Sequence, residues 1–245
     1  MAMKCIVLIA FMAAPVLAQN ARPAFEAASV KPNNSPTGNS QTHGSKGQVL
    51  MSNQTLERLI ERAYGVQSFQ VVGPGWMSDV RFDIAAKYPE DTKPSDRPLM
   101  LRTLLEDRFR LAVHKEMKDL PGYELVVARG GFKLKPVDPA GGSDTNDSGG
   151  VVRTLTVKRT SMASLADLLS RYLNQMVVDK TGIEGVYGFA FKWTNADQST
   201  AGKEEETVPS LFTAVEETIG VHLKATKVPT EIVVVDHVER APIEN

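Results

Sequence analysis

The side chains best suited to chemistry are few and scattered. The four histidines are His43, His114, His222 and His237, and none stands at His-x-x-x-His or His-Glu-x-x-His spacing. Zinc sites need imidazoles brought onto one helix face or turn, so this spacing argues against a metal. His114 and His222 fall on the polar phase of strand-like stretches and read as surface groups. Asp236-His237 follows the apolar run Ile232–Val235. A carboxylate beside an imidazole at a strand end is the orienting part of a hydrolase triad. The nucleophile is missing: no Gly-x-Ser-x-Gly occurs, and the single cysteine, Cys5, lies in the first apolar stretch. Successive strand residues also point to opposite faces, so Asp236 is badly placed to orient His237.

Asp83 and Asp179 are the remaining carboxylate candidates for acid–base work. Asp83, between Phe82 and Ile84, points away from both. Asp179 abuts Lys180-Thr181-Gly182 and reads as a turn-shaping acceptor. Gly73-Pro74-Gly75 lacks the Gly-Lys-Ser/Thr ending of a phosphate loop. No catalytic residue, metal or cofactor is therefore assigned. The aromatic residues around that turn have two readings, a packed core or a groove for an aromatic or peptide ligand. The candidate ligand-binding residues are Tyr64, Phe69 and Trp76, with Asp179 and Tyr187 from the strand–turn–strand unit Val177–Trp193.

The elements that would position these residues recur in order. Leu56, Leu59, Ile60, Ala63 and Tyr64 have helical spacing, with Asn53 or Thr55 to cap the start and Gly65 to end it. Leu101, Leu104, Leu105 and Phe109 form a second stripe, Met162, Leu165, Leu168 and Leu169 a third, and Phe212, Val215 and Ile219 a fourth. Strands are expected at Phe25–Val30, Gln48–Ser52, Phe69–Val72, Arg81–Lys87, Leu111–Val113 and Tyr123–Ala128. In the second half they are expected at Val152–Arg159, Gln175–Asp179, Val186–Trp193, Val221–Leu223 and Glu231–Val235. Residues 33–47 and 195–207 read as polar loops. The expected fold is α+β, internally duplicated as two β-α-β-β-α-β-β halves, each with two helices on a small mixed sheet. The halves span 19–135 and 151–245, joined by a Gly/Ser/Asp linker at 136–150.

The start of the chain is a different material. Lys4 precedes the apolar run Cys5–Ala14, and Val16-Leu17-Ala18 supplies residues suited to cleavage. That is a secretory leader over 1–18, with an apolar run too short to span a bilayer. Cys5 would leave with it, so the mature chain would hold no disulfide. The expected location is secreted or periplasmic, without stable membrane insertion. A net charge of −1 gives no reason to expect a nucleic-acid partner.

Several stretches resemble a large family of exported, soil-associated bacterial proteins of unknown function. They are Phe25–Asn33, Arg62-Ala63-Tyr64-Gly65-Val66, Gly73-Pro74-Gly75-Trp76, Leu105–Phe109, Asp179-Lys180-Thr181-Gly182 and Asp236–Arg240. The resemblance implies export, occasional fusion to membrane sensor peptidases, and no established activity. Relatives usually carry Asp where this chain has Gly188, and Pro where it has Ala241. Residues 155–238 are also similar to the short N-terminal domain of secretins and TonB-dependent receptors, with Ala214 at its characteristic helix position. Such domains are periplasmic docking modules.

The leading expectation is a non-catalytic docking or sensory module for a protein, peptide or envelope ligand. A hydrolase using Asp236, His237, Asp179 or His114 is the second reading, and a self-associating structural envelope component the third.

Overall fold

The computed structural model describes residues 22–35, 39–142, 144–194 and 208–243. The leader expected at 1–18 and the loop expected at 195–207 lie outside these residues. The first half runs β1 (Ala27–Pro32), β2 (Gln41–Ser45), β3 (Gln48–Thr55), α1 (Leu56–Tyr64), β4 (Val71–Val72), β5 (Arg81–Lys87), α2 (Arg97–Phe109) and β6 (Ala112–Val127). The second runs β7 (Thr145–Gly149), β8 (Val152–Thr160), α3 (Met162–Leu173), β9 (Met176–Asp179), β10 (Tyr187–Thr194), α4 (Leu211–Ile219) and β11 (Val221–His237). The class is α+β, with three sheets among the described residues.

Short polar side chains start three of the helices. Thr55, Ser161 and Ser210 accept hydrogen bonds from the backbone N–H groups of Arg58, Ser164 and Thr213 at 3.2, 3.1 and 3.3 Å. Left-handed residues stop all four helices of the described residues: Gly65, Arg110, Asn174 and Gly220. Gly220 has no substitute, because a Cβ there would stand 2.1 Å from the Gly131 carbonyl oxygen. Phe69, expected in a strand, lies in a short 3-10 helix ahead of β4.

The outer sheets are antiparallel, β1-β5-β3-β2 in the first half and β10-β8-β7 in the second. The mixed sheet is β4-β11-β6-β9. It belongs to both halves, which corrects the expectation of one mixed sheet apiece. β6 and β11 run antiparallel along their full lengths. β4 adds in parallel to β11 at Val233 and Val234, and β9 adds in parallel to β6 from Gly122 to Leu125.

A second correction concerns the gaps left between the expected strands Leu111–Val113 and Tyr123–Ala128, and Val221–Leu223 and Glu231–Val235, which hold Pro121-Gly122 and Pro229. The chain passes through both without turning, so each half ends in one long strand. The hydrogen-bond pattern explains how. Ala128 N–H donates to Gly220 O, and antiparallel pairs alternate between bonded and non-bonded. The pairs Pro121–Lys227 and Asp119–Pro229 therefore fall in the non-bonded set. Each proline nitrogen faces outward, where no third strand needs an N–H.

Two cores result. Leu56, Leu59, Ile60, Phe82, Leu105 and Phe109 centre the first, and it is completed by Val233 and Val235 of β11. Leu155, Leu165, Leu169, Phe191, Trp193 and Val215 centre the second, with Leu125 of β6 and Val221 and Leu223 of β11. Ile232 and Val233 are adjacent in the strand and both buried, as a strand covered on both faces requires. The expected loop at 33–47 contains β2, and the expected linker at 136–150 contains β7. Neither strand has a buried residue, so neither leaves an apolar alternation to read.

Candidate functional site

The strand register decides the histidines. β6 lies against β11 with His114 opposite Val234, which brings Asp236 across to the imidazole. His114 Nδ1 stands 2.8 Å from Asp236 Oδ1, and Glu116 lies 4.0 Å from Nε2. The hydrogen bond to Asp236 raises the His114 pKa above its ordinary value of 6.5. His222 pairs with Glu216 at 2.7 Å and His237 with Glu239 at 3.3 Å. Asp236 thus orients His114, not His237, and each pair stands separately on the exposed surface. A general base needs a substrate held within hydrogen-bond reach, and no cleft described below is lined by His114 or Asp236. Among the described residues no group of three His, Asp or Glu could hold a metal ion.

Three of the five candidate binding residues divide between the two cores. Tyr64 and Trp76 pack against the first, and Tyr187 lies inside the second. Arg102 covers the Tyr64 ring at 4.5 Å, and burial raises the phenol's pKa. Phe69 is half-buried beside β4. Trp76 carries Arg240 at 5.9 Å over its ring, and Arg240 also lines a cleft of about 640 Å3 with Asn33 and Arg81. Asp179 Oδ1 accepts from the Thr181 backbone N–H at 2.9 Å and the Thr181 hydroxyl at 2.7 Å, which is the turn-shaping role read from its neighbours. The Tyr187 hydroxyl donates to Glu184 O at 2.7 Å. Neither the cleft beside Arg240 nor the one described next is lined by any of the five.

The better-formed cleft is elsewhere, between the β7–β8 hairpin and α3, with a volume of about 490 Å3. Arg153, Leu155, Val157 and Arg159 share one phase of β8, and the burial of Leu155 and Val157 turns that phase inward. Across β10 this phase meets the aromatic row Trp193, Phe191 and Phe189. Across β7 it meets Gly149, Asp147 and Thr145. The sheet runs out there before α3 closes over it, leaving Val157 and Leu168 as an apolar floor.

The rim is polar and ordered. Arg153 forks onto Asp147 and lies over the rings of Tyr172 and Trp193 at 5.2 and 5.7 Å. The Tyr172 hydroxyl donates to Asp147 Oδ2 at 2.9 Å. Burial, then that hydrogen bond, push the phenol up to about 12. Asp147 is thereby ion-paired on one side and hydrogen-bonded on the other. Arg159 is held by backbone carbonyls, its Nε donating to Asp138 O at 2.8 Å. Among the described residues neither Arg159 nor Arg171 forms a salt bridge with a carboxylate. The cleft therefore offers two uncompensated guanidinium groups over an apolar floor.

A family model described as a protein of unknown function (DUF3738) matches residues 57–238, most of the chain. The protein belongs to the DUF3738 family. No curated protein and no solved structure gave a match. The DUF3738 match runs from α1 through the last residue of β11 and includes every residue of the hairpin–helix cleft. Sequence reasoning passed over Asp147, Arg159, Arg171 and Tyr172. One signal was there: Arg153 and Arg159 share the alternation of Leu155 and Val157, so the inward phase of β8 begins and ends in charge.

Among the described residues no helix is long and apolar enough to cross a membrane.

Proposed function

We propose that this DUF3738 protein is an exported, non-catalytic binding module that docks a protein, peptide or envelope ligand. The observation that carries the reading is the cleft beside β7, where an apolar floor, two arginines with no carboxylate partner among the described residues and an open strand edge coincide. Arg159 is half-buried and Arg171 exposed, so both guanidinium groups stay open to an approaching ligand of complementary charge. The leader-like start supports export, and the likeness of residues 155–238 to secretin and TonB-receptor docking domains supports docking.

The same reading includes two copies of one α+β unit. Elements β3 to β6 and β8 to β11 follow one order, β-α-β-β-α-β. Val71 pairs in parallel with Val233, and Asp179 pairs in parallel with Leu125. Residue 179 lies as far beyond 71 as 233 lies beyond 125, so the cross-pairings match under one offset.

The test is retention of partners from an envelope extract on immobilised protein, with mass-spectrometric identification and a concentration series. One saturable partner, lost with Thr145→Pro, is the expected result. Turnover of an ester, peptide or glycoside panel that disappears with His114→Gln would replace this reading with the hydrolase one.

A further inference from the structure

The binding reading leaves the chemistry of the ligand open, and the geometry of β7 narrows it. Lys158 N–H donates to Asp144 O at 2.9 Å, one step before the strand proper. In an antiparallel pair the bonded residues alternate, so Asn146 and Ser148 turn their backbone groups toward β8. Thr145, Asp147 and Gly149 then turn theirs to the outer edge, where no described strand pairs with them. Thr145 and Asp147 are also the β7 residues that line the cleft. One pair of residues thus presents free backbone donors and acceptors to the edge and side chains to the cavity.

The cleft's charge is one-sided. Asp147 is taken by Arg153 and by the Tyr172 hydroxyl. Asp144 is taken by Lys158 at 2.6 Å. Asp167 lies one helical turn before Arg171 yet forms no salt bridge with it. Arg159 and Arg171 remain as uncompensated positive groups flanking Val157 and Leu168.

We infer that the occupant is an extended acidic peptide that adds as a further strand on β7, with an Asp or Glu side chain between Arg159 and Arg171. Strand addition supplies sequence-independent backbone bonds, and the cleft supplies selection. Alternate peptide residues project to one face, so one residue reaches the guanidinium pair and the next but one reaches the apolar floor. The required pattern is an acidic residue and an apolar residue two positions apart. The inference rests on the binding reading and adds the ligand class.

The experiment is panning of a random peptide library displayed on phage against the purified protein, followed by binding of synthetic versions of the recovered peptides. The expected result is enrichment of sequences with Asp or Glu two positions from an apolar residue. Binding should weaken about tenfold or more in Arg159→Gln/Arg171→Gln, the loss expected for charge-assisted hydrogen bonds. N-methylation of alternate peptide nitrogens should abolish it. Circular dichroism of the double variant verifies the fold, and Arg159→Glu/Arg171→Glu should redirect selection to Lys and Arg. Acidic peptides bound equally by wild type and both double variants overturn the cleft assignment and leave the binding reading standing. So does enrichment of neutral or basic peptides by the wild type. Full binding of the N-methylated peptide overturns strand addition. Recovery of no peptide overturns the inference, while a saturable non-peptide partner in the extract test would still uphold the binding reading.

Discussion

The hairpin ahead of α1 and the hairpin ahead of α3 are built alike and equipped differently. Each pairs an exposed outer strand with an inner strand that runs into a capped helix. Counting back from the caps, Thr55 and Ser161, the first half has Asn53, Met51 and Val49 where the second has Arg159, Val157 and Leu155. Thr42 and Gly44 stand opposite Met51 and Val49, and Thr145 and Asp147 stand opposite Val157 and Leu155. Helix α1 is 9 residues long and α3 is 12, and the last turn of α3 carries Arg171 and Tyr172. The same frame becomes a charged cleft through arginines on an inward phase and added helix that holds a phenol against them. The charged cleft is an addition to a frame that the first half builds without it.

The comparison breaks first if the halves are independent. Val233 lies in the second half yet is fully buried in the first core. Val233→Asp buries a charge there and should cost roughly 4 kcal/mol or more, unfolding both halves in one chemical-denaturation transition. Two separate transitions would mean that the halves do not share stability. Trp193→Ala comes next. It removes the end of the aromatic row and the platform under Arg153, at about 3–5 kcal/mol by denaturant midpoint, and should also abolish the peptide binding inferred for the cleft.

The tyrosines that close α1 and α3 sharpen the contrast. Tyr172 donates to Asp147, while the Tyr64 hydroxyl makes no hydrogen bond among the described residues. Tyr172→Phe should cost about 1 kcal/mol and Tyr64→Phe close to nothing in the same assay. Spectrophotometric titration should find one phenol ionising near 12 that is missing in Tyr172→Phe. That folded value lies above the ordinary 10.0, so Tyr172 contributes stability below pH 10 that is lost as pH rises through about 12. The smallest effect is at His114, exposed and away from the cleft. Its NMR titration should give a pKa above 6.5, falling toward that value in Asp236→Asn. The contribution is present below pH 6.5 and lost as pH rises through the folded value.

Much of the frame was legible because local signals agreed. The helix stripes, Thr55 as a cap and Gly65 as a stop are all properties of adjacent residues. The joined strands were not, because Pro121 and Pro229 carry a strong local break signal and are tolerated only through a register set more than a hundred residues away. The shared sheet was hidden for the same reason. Asp179 was read correctly since its partner, Thr181, is two residues on. Asp236 was weighed with its neighbour His237 when its partner, His114, lies across the sheet. The cleft combined both difficulties, since Asp147 meets Tyr172 only after β7 has paired with β8.

The reach of β11 has a consequence for how the chain is made. The first core is finished by Val233 and Val235, and two further links, Glu239 N–H to Phe109 O and Ile243 N–H to Arg108 O, hold the following segment to α2. A ribosome delivers residues in order, so the first half emerges with that side of its core bare and waits for nearly the whole chain. Folding with so many distant contacts is slow, because loop closure must precede the contacts that reward it. The waiting half needs shelter during synthesis, and a chain cut short ahead of β11 is material for proteolysis, not a smaller working protein.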